Sequence, residues 1–502
     1  LMISLLNYIN LATARAVTRA KEVGVRKVLG STNGSIMSQF IVESVLFTVG
    51  SGALAVFLVF LLMPQLNQLF QIELSLVSLN LVDWIIYGAS LIFMGAIAGV
   101  LPAYAMSKLP SITQSSNNDK PAASQWSITR KLFVGIQYAV ALAFLAATLV
   151  VFMQYQYLKN YDLGFNPKQL INISIEDRNL QAKIDLIKSE IKNIPGVDGA
   201  AATGENLPSD LNNTWNFTWQ EAEPDLAAGI DVIGVDFDYF ELLDIPFVEG
   251  ENFRKSYEVD SANSVILNEE ALTFMSKESM LNEQVNIDGR NRTVVGVIKN
   301  YHNISLHSEM QPYAYFIFDK GLRVSTDNIL IKVETAQVGQ VISTLEKVWN
   351  SFSSDPLPYQ FVDEAFANAY ASERRFSSLI GSFSILAVFI SIIGLFGLIS
   401  FIVQLKLKEI GIRRVLGAGR FSLLKLLSKD FLIVFGIASL LALPFTYYFL
   451  KNWLSNYAYH ISLNPWIMMP AVVMCLAISL LVIFYNLERT TRLNPSEVIR
   501  RE

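Results

Sequence analysis

Long apolar blocks alternate with polar intervals along this chain. Blocks fall at Leu1–Ala14, Phe40–Leu62, Trp84–Met106, Leu132–Met153, Leu379–Val403, Phe431–Leu450 and Ile467–Tyr485. Most approach the ~20 residues that a helix needs to cross a bilayer. Seven membrane spans are therefore expected, with the lipid bilayer as the first partner. The first block has an alternative reading as the apolar core of a signal peptide. No basic segment precedes it and no cleavage site follows, which weighs against that reading.

A different rhythm fills the interval between the fourth and fifth blocks. "QLINISIE" (Gln169–Glu176) predicts a strand, Leu180–Ile194 has helical periodicity, and Ala200–Thr203 begins a second strand. "NILIKVE" (Asn328–Glu334), the helical Val338–Trp349 and "PYQFVD" (Pro358–Asp363) repeat that order. Two strand–helix–strand units predict a split ferredoxin-like sandwich. Between them, "AGIDVIGVD" (Ala228–Asp236), "NSVILN" (Asn263–Asn268) and "RTVVGVIKN" (Arg292–Asn300) predict a β-rich insert. The fold class is a multi-span α-helical membrane protein with an α+β extracytoplasmic domain. Glu364–Arg375 is expected to run as an unbroken helix into the fifth span, a stiff stalk between membrane and outer domain.

Charge separates the same two parts. Lys159–Arg375 carries 18 Lys/Arg against 34 Asp/Glu, a net of −16, while the remainder carries +11 within a total of −5. Basic residues in short loops stay cytoplasmic. They follow the first block (Arg15, Arg19, Lys21, Arg26, Lys27), the third (Lys108, Lys120, Arg130, Lys131), the fifth (Lys406, Lys408, Arg413, Arg414) and the last (Arg489, Arg492). The acidic domain therefore faces outward, and no nucleic-acid partner is expected. The carboxylates of Asp231–Asp244 read as a solvated acidic face. The single cysteine, Cys475, lies within the last block, so no intrachain disulfide can form.

The chain also repeats itself. "KEVGVRKVLG" (Lys21–Gly30) recurs as "KEIGIRRVLG" (Lys408–Gly417), 387 residues on. "KLPSI" (Lys108–Ile112) likewise matches within "RLNPSEVI" (Arg492–Ile499). The second copy is preceded by a span and an outer domain. The same is expected of the first, which implies about 260 further residues upstream and a cut within a span.

Candidate chemistry is sparse. No G-x-x-x-x-G-K-[ST] phosphate loop and no G-x-S-x-G nucleophile elbow occurs. The three histidines have no zinc-ligand spacing. No catalytic residue, cofactor or metal is expected. In each basic motif, Val23, Val25 and Leu29 (or their equivalents) read as an apolar side and the cations project elsewhere. Gly30 and Gly417 are expected to end each helix in the left-handed conformation. A plain topology anchor would need the cations, but not the same glycines and apolar positions twice. A docking role is therefore expected, with reversed charge at Arg26 and Arg413 expected to abolish it. Glu43 and Asp430, also 387 apart, sit at membrane edges. Each is either paired with a nearby cation or stabilised by a helix start, with Lys429 beside Asp430.

These motifs, each followed by two spans, resemble the FtsX-like domain of bacterial ABC transporter permeases. "GVDFDYFELLDIPFVEGENF" (Gly234–Phe253), "VILNEEAL" (Val265–Leu272) and "VVGVIKNYHNISLHSEMQPYAYF" (Val294–Phe316) resemble the periplasmic core domain of MacB-type permeases. "SERRFSSLIGSFSILAVFISIIGLFGLISF" (Ser372–Phe401) continues the likeness into the membrane. The resemblance implies a first, incomplete FtsX-like domain with three spans (1–110), a cytoplasmic linker (111–131), a span (132–154), a MacB-like core (155–375) and a second FtsX-like domain (376–502).

It also implies a bacterial inner-membrane permease component with its large domain in the periplasm, driven by a cytoplasmic ABC ATPase dimer on separate chains. The implied docking residues are Lys21, Glu22, Gly24, Arg26, Lys27 and Gly30, with Lys408, Glu409, Gly411, Arg413, Arg414 and Gly417. ATP-driven closure would then move the periplasmic domain, a mechanism termed mechanotransmission. Relatives serve drug or peptide efflux, lipoprotein release or activation of a cell-wall hydrolase, so an adaptor or envelope protein is a further implied partner class. The alternative is a transmembrane scaffold that activates a cell-envelope hydrolase.

Overall fold

The computed structural model describes residues 2–70, 73–107, 121–209, 213–219, 228–254, 263–317, 326–334, 337–405, 409–410, 412–413, 416–417 and 419–491. They form two units. One comprises 1–154, 373–453 and 462–502, the other 155–372 with 454–461. We call them the membrane unit and the outer unit.

Helices α1 (Met2–Thr18), α2 (Ala20–Val28), α3 (Asn33–Phe70), α4 (Leu81–Ser107) and α5 (Pro121–Lys159) come first. β1 (Leu170–Ser174), α6 (Arg178–Gln181), α7 (Ile184–Lys192), β2 (Val197–Thr203), β3 (Thr214–Trp219) and β4 (Ala228–Val235) follow. Next are α8 (Tyr239–Leu242), β5 (Phe247–Gly250), β6 (Ser264–Asn268), α9 (Glu269–Met275), β7 (Gln284–Ile287), β8 (Arg290–Ile298) and β9 (Tyr313–Ile317). β10 (Asn328–Val333), α10 (Val338–Trp349), β11 (Tyr359–Phe361), α11 (Val362–Ala369), α12 (Ala371–Leu405), α13 (Arg420–Leu454) and α14 (Met469–Thr491) complete the order.

The apolar blocks are helical because a backbone in lipid must satisfy its own hydrogen bonds. Among the described residues α3, α4, α5, α12, α13 and α14 are long and apolar enough to cross a membrane. The seventh expected span corresponds to α1, which has 17 described residues. At 1.5 Å each they rise about 25 Å, short of the ~30 Å hydrocarbon core.

Small residues set the packing of these helices. A Cβ on Gly95 would lie 2.7 Å from Val45 Cα, and one on Gly99 2.9 Å from Ser44 Cβ. The G-x-x-x-G spacing thus lets α3 and α4 approach closely. Between α1 and α12, a Cβ on Gly394 would meet Asn7 Oδ1 at 2.7 Å. Positions 7 and 394 are one repeat length apart, so equivalent positions of the two copies meet, as a two-fold relation requires.

In the outer unit, β11, β1, β10 and β2 lie side by side, all antiparallel. This is the expected split sandwich. α7 and α10 cover one face through Ile184, Ile187, Ile191, Val341, Leu345 and Trp349, which pack on Ile171, Ile173, Ile329 and Ile331. The expected helix over Leu180–Ile194 is interrupted between α6 and α7, because Ala182 and Lys183 form a turn.

The β-rich insert closes on itself. β4 pairs with β3, then β7, β8, β6 and β9 follow, and β9 returns to β4. Phe217, Ile230, Val232, Val265, Leu267, Val294 and Phe316 fill the ring. Between β2 and β4, the strands that join sandwich and ring, one pair is matched, Thr203 with Val235.

The expected unbroken stalk is jointed. α11 ends at Ala369 and α12 starts at Ala371, with Tyr370 between them at φ −101°, ψ 18°. Tyr370 is buried, and its hydroxyl accepts the Leu306 N–H at 3.1 Å. A tertiary contact therefore fixes the joint, which no glycine or proline marks.

Candidate functional site

The first basic motif folds as α2. Val23 is buried against Ile36 and Phe40, and Gly24 is buried beside it. The helix stops as expected. Gly30 adopts φ 97°, its N–H donates to Lys27 O at 3.1 Å, and the Ser31 N–H donates to Arg26 O at 3.0 Å. This paired pattern satisfies the carbonyls of the last turn and requires a residue that tolerates positive φ.

The cations do not project freely. Arg26 binds Glu22 at 2.8 Å and donates to Gln39 Oε1 at 2.6 Å. Lys27 Nζ donates to the Ser107 carbonyl at the end of α4 (2.6 Å), where a cation complements the helix dipole. Backbone placement puts Lys21 in the first turn of α2, and its side chain lies outside what is described.

The second motif follows the same plan where it is described. Arg413 binds Glu409 at 2.8 Å, the distance seen in the first copy. Ile410, the counterpart of Val23, is buried in the helix core with Leu423 and Leu427. Gly417 adopts φ 89° and the Leu416 N–H donates to Ile412 O at 3.0 Å. Lys408, Gly411 and Arg414 lie outside the described residues.

The outward residues match closely. Val25 and Ile412 are 49% and 47% exposed, and Leu29 and Leu416 are 79% and 80% exposed. The expected single apolar side is therefore split. Residues two apart on a helix point in nearly opposite directions, whereas residues four apart share a face. Val23 turns inward, and Val25 with Leu29 forms a projecting apolar knob beside the Glu–Arg pair.

Both membrane-edge carboxylates have cations. Arg19 Nη1 lies 3.0 Å from Glu43 Oε2, and Lys131 Nζ lies 3.3 Å from Asp430 Oδ1. The partner of Asp430 is thus Lys131 of α5 rather than the adjacent Lys429. Some 300 residues separate Lys131 from Asp430, and no local pattern signals the pair.

The outer unit holds a buried cluster that the sequence did not signal. Glu205, just past β2, is fully buried. It accepts hydrogen bonds from the Tyr239 hydroxyl, the Tyr301 hydroxyl (3.1 Å) and Asn303 Nδ2 (2.9 Å). Tyr315 donates to the Tyr301 hydroxyl at 3.1 Å, which extends the network to β9. Burial pushes the Glu205 carboxyl up to about 7, although these three hydrogen bonds oppose the shift. The cluster sits where sandwich and ring join.

Nor is the acidic stretch Asp231–Asp244 a purely solvated face. Lys188 reaches Asp236 at 2.5 Å and Asp238 at 3.3 Å, Lys192 reaches Asp238 at 2.7 Å, and Lys332 reaches Asp244 at 2.6 Å. Burial raises the Asp236 carboxyl, and Lys188 opposes that.

Comparison with protein families places these units. The FtsX-like permease C-terminal model matches residues 1–113 and again 381–495, and the MacB-like periplasmic core domain model matches 133–348. The chain belongs to the FtsX/MacB permease family. This permease is thus a multi-pass inner-membrane protein of the ABC-transporter type with a large periplasmic domain. Comparison with curated proteins found no match.

Among solved structures, the extracellular domain of the noncanonic ABC-type transporter YknZ from Gram-positive bacteria is similar at 15% identity. It covers 38% of this chain and 97% of its own, with a TM-score of 0.29. The periplasmic region of MacB from Actinobacillus actinomycetemcomitans is similar at 11% identity. It covers 43% and 98%, with a TM-score of 0.31.

Proposed function

We propose that this permease couples ATP hydrolysis by a separate cytoplasmic ATPase to movement of its periplasmic domain, for export or release of a cargo at the outer face. The domain division follows the sequence reading: FtsX-like domains at 1–110 and 376–502 flank the span 132–154 and the periplasmic core 155–375. Each basic motif is one docking element, and one chain offers two.

The observation that carries this reading is the matched pair of knobs, Val25 with Leu29 and Ile412 with Leu416. A lipid anchor explains cations. It does not explain two projecting leucines beside glycine-capped ends, exposed to the same degree one repeat length apart. Burying such a leucine in a partner pocket removes apolar surface from water and stabilises the complex by about 1.5–3 kcal/mol. The Glu22–Arg26 and Glu409–Arg413 pairs then flank each knob as a polar rim.

The test is affinity purification of the intact protein with Leu29→Asp and Leu416→Asp together. Retention of a Walker-motif ATPase is expected to fall about 30-fold per site, the equivalent of about 2 kcal/mol each. Arg26→Ala with Arg413→Ala is expected to weaken it less, because those cations already have partners. Full retention in the aspartate double variant would reduce the motifs to topology anchors.

A further inference from the structure

The outer unit contains a segment from far along the chain. Residues 454–461, which join α13 to α14, belong to it together with 155–372. The chain therefore passes between the two units four times, at 154–155, 372–373, 453–454 and 461–462.

Two histidines each pack against a tyrosine of this segment. The His302 ring packs edge-on between Tyr161 (5.1 Å) and Tyr459 (4.8 Å), and those tyrosines meet each other at 5.3 Å. The His307 ring lies between Tyr370 (5.8 Å) and Tyr457 (5.1 Å). In each case one tyrosine comes from 454–461. The other comes from the outer end of a membrane helix, Tyr161 just after α5 and Tyr370 at the joint before α12.

Backbone hydrogen bonds reinforce both contacts. The Ala458 N–H donates to His307 O at 3.2 Å and the His302 N–H donates to Leu163 O at 2.8 Å. The Leu306 N–H donates to the Tyr370 hydroxyl at 3.1 Å. Ser305 Oγ lies 2.7 Å from His307 Nδ1 and fixes that ring. Residues 301–308 thus clasp three chain connections at once: the exit from α5, the entry to α12 and the loop from α13 to α14.

We propose that this clasp makes 454–461 a third mechanical tether, so that the outer unit follows α13 and α14 as well as the two helices adjoining it in sequence. The clasp goes beyond the docking reading and stands whether or not an ATPase drives the motion. Aromatic packing suits the task because packed rings, edge-on at His302 and tilted at His307, add to ordinary burial at low conformational cost. A joint at Tyr370 would otherwise leave α11 and α12 free to swivel.

The test uses the intact protein in lipid nanodiscs, with Cys475→Ala as background and spin labels at Glu346→Cys in the outer unit and Val77→Cys in the membrane unit. Both label positions are exposed. Tyr457→Ala with Tyr459→Ala is expected to broaden the interspin distance distribution at least twofold. Tyr457→Phe with Tyr459→Phe, which keeps the rings, is expected to retain the unsubstituted width. If the alanine pair does not insert, His302→Ala with His307→Ala removes the other side of the same contacts and carries the same expectation. A width unchanged in the alanine or the histidine variant would overturn the proposal. A retained ATPase would not rescue it, and a lost one would not sink it.

Discussion

Carboxylates occur both at the basic motifs and at the seam of the outer unit, in opposite settings. Glu22, Glu43, Glu409 and Asp430 are all more than two-fifths exposed, and each faces a cation. Glu205 is fully buried and faces two tyrosine hydroxyls and one amide. Exposed ion pairs are screened by water and contribute little to stability, so their recurrence in both copies is better explained by what they present outward. A carboxyl buried among neutral donors does the reverse: it presents nothing and ties stability to pH.

The largest expected effect on stability lies at the seam. Glu205 has a carboxyl pKa of about 7 in the fold against an ordinary value of 4.5. Its raised value means that its contribution is fully present below pH 4.5 and is lost as pH rises through 7. The shift corresponds to about 3 kcal/mol. Denaturant unfolding of the outer unit within the intact protein, followed by tryptophan fluorescence, should show that loss. Glu205→Gln, which cannot ionise, is expected to remove most of it. A Glu205→Gln variant with the same pH dependence would show that the carboxyl titrates in the fold as it does in the unfolded chain.

A much smaller effect is expected at the membrane edges. Arg19→Ala frees Glu43 and Lys131→Ala frees Asp430, both at half-exposed positions. Neither is expected to change stability measurably in the same unfolding experiment, and membrane insertion should be unaffected. A large loss in either would contradict the view that these pairs serve the surface.

The difference between the two regions also explains what the sequence could reveal. Spans, motif ends and the sandwich order depend on local periodicity, and Gly30 and Gly417 mark the caps because a positive φ favours glycine. Val25 was legible in principle, since it is two residues from the buried Val23 and four from Leu29. The seam was not legible. Glu205, Tyr239 and the neighbouring pair Tyr301 and Asn303 are brought together from three places by the closure of the ring and its junction with the sandwich. Lys131 with Asp430, and the Tyr370 joint, are likewise products of tertiary packing.

Coupling to an ATPase depends on what the two knobs hold. The intact protein should be extracted gently from its native membrane, captured, and its companions quantified by mass spectrometry. One Walker-motif ATPase subunit per motif, two per chain, is the predicted result. Capture with no such ATPase, under conditions that keep the outer unit folded, would contradict the coupling reading and leave the doubled motif as the trace of a duplication.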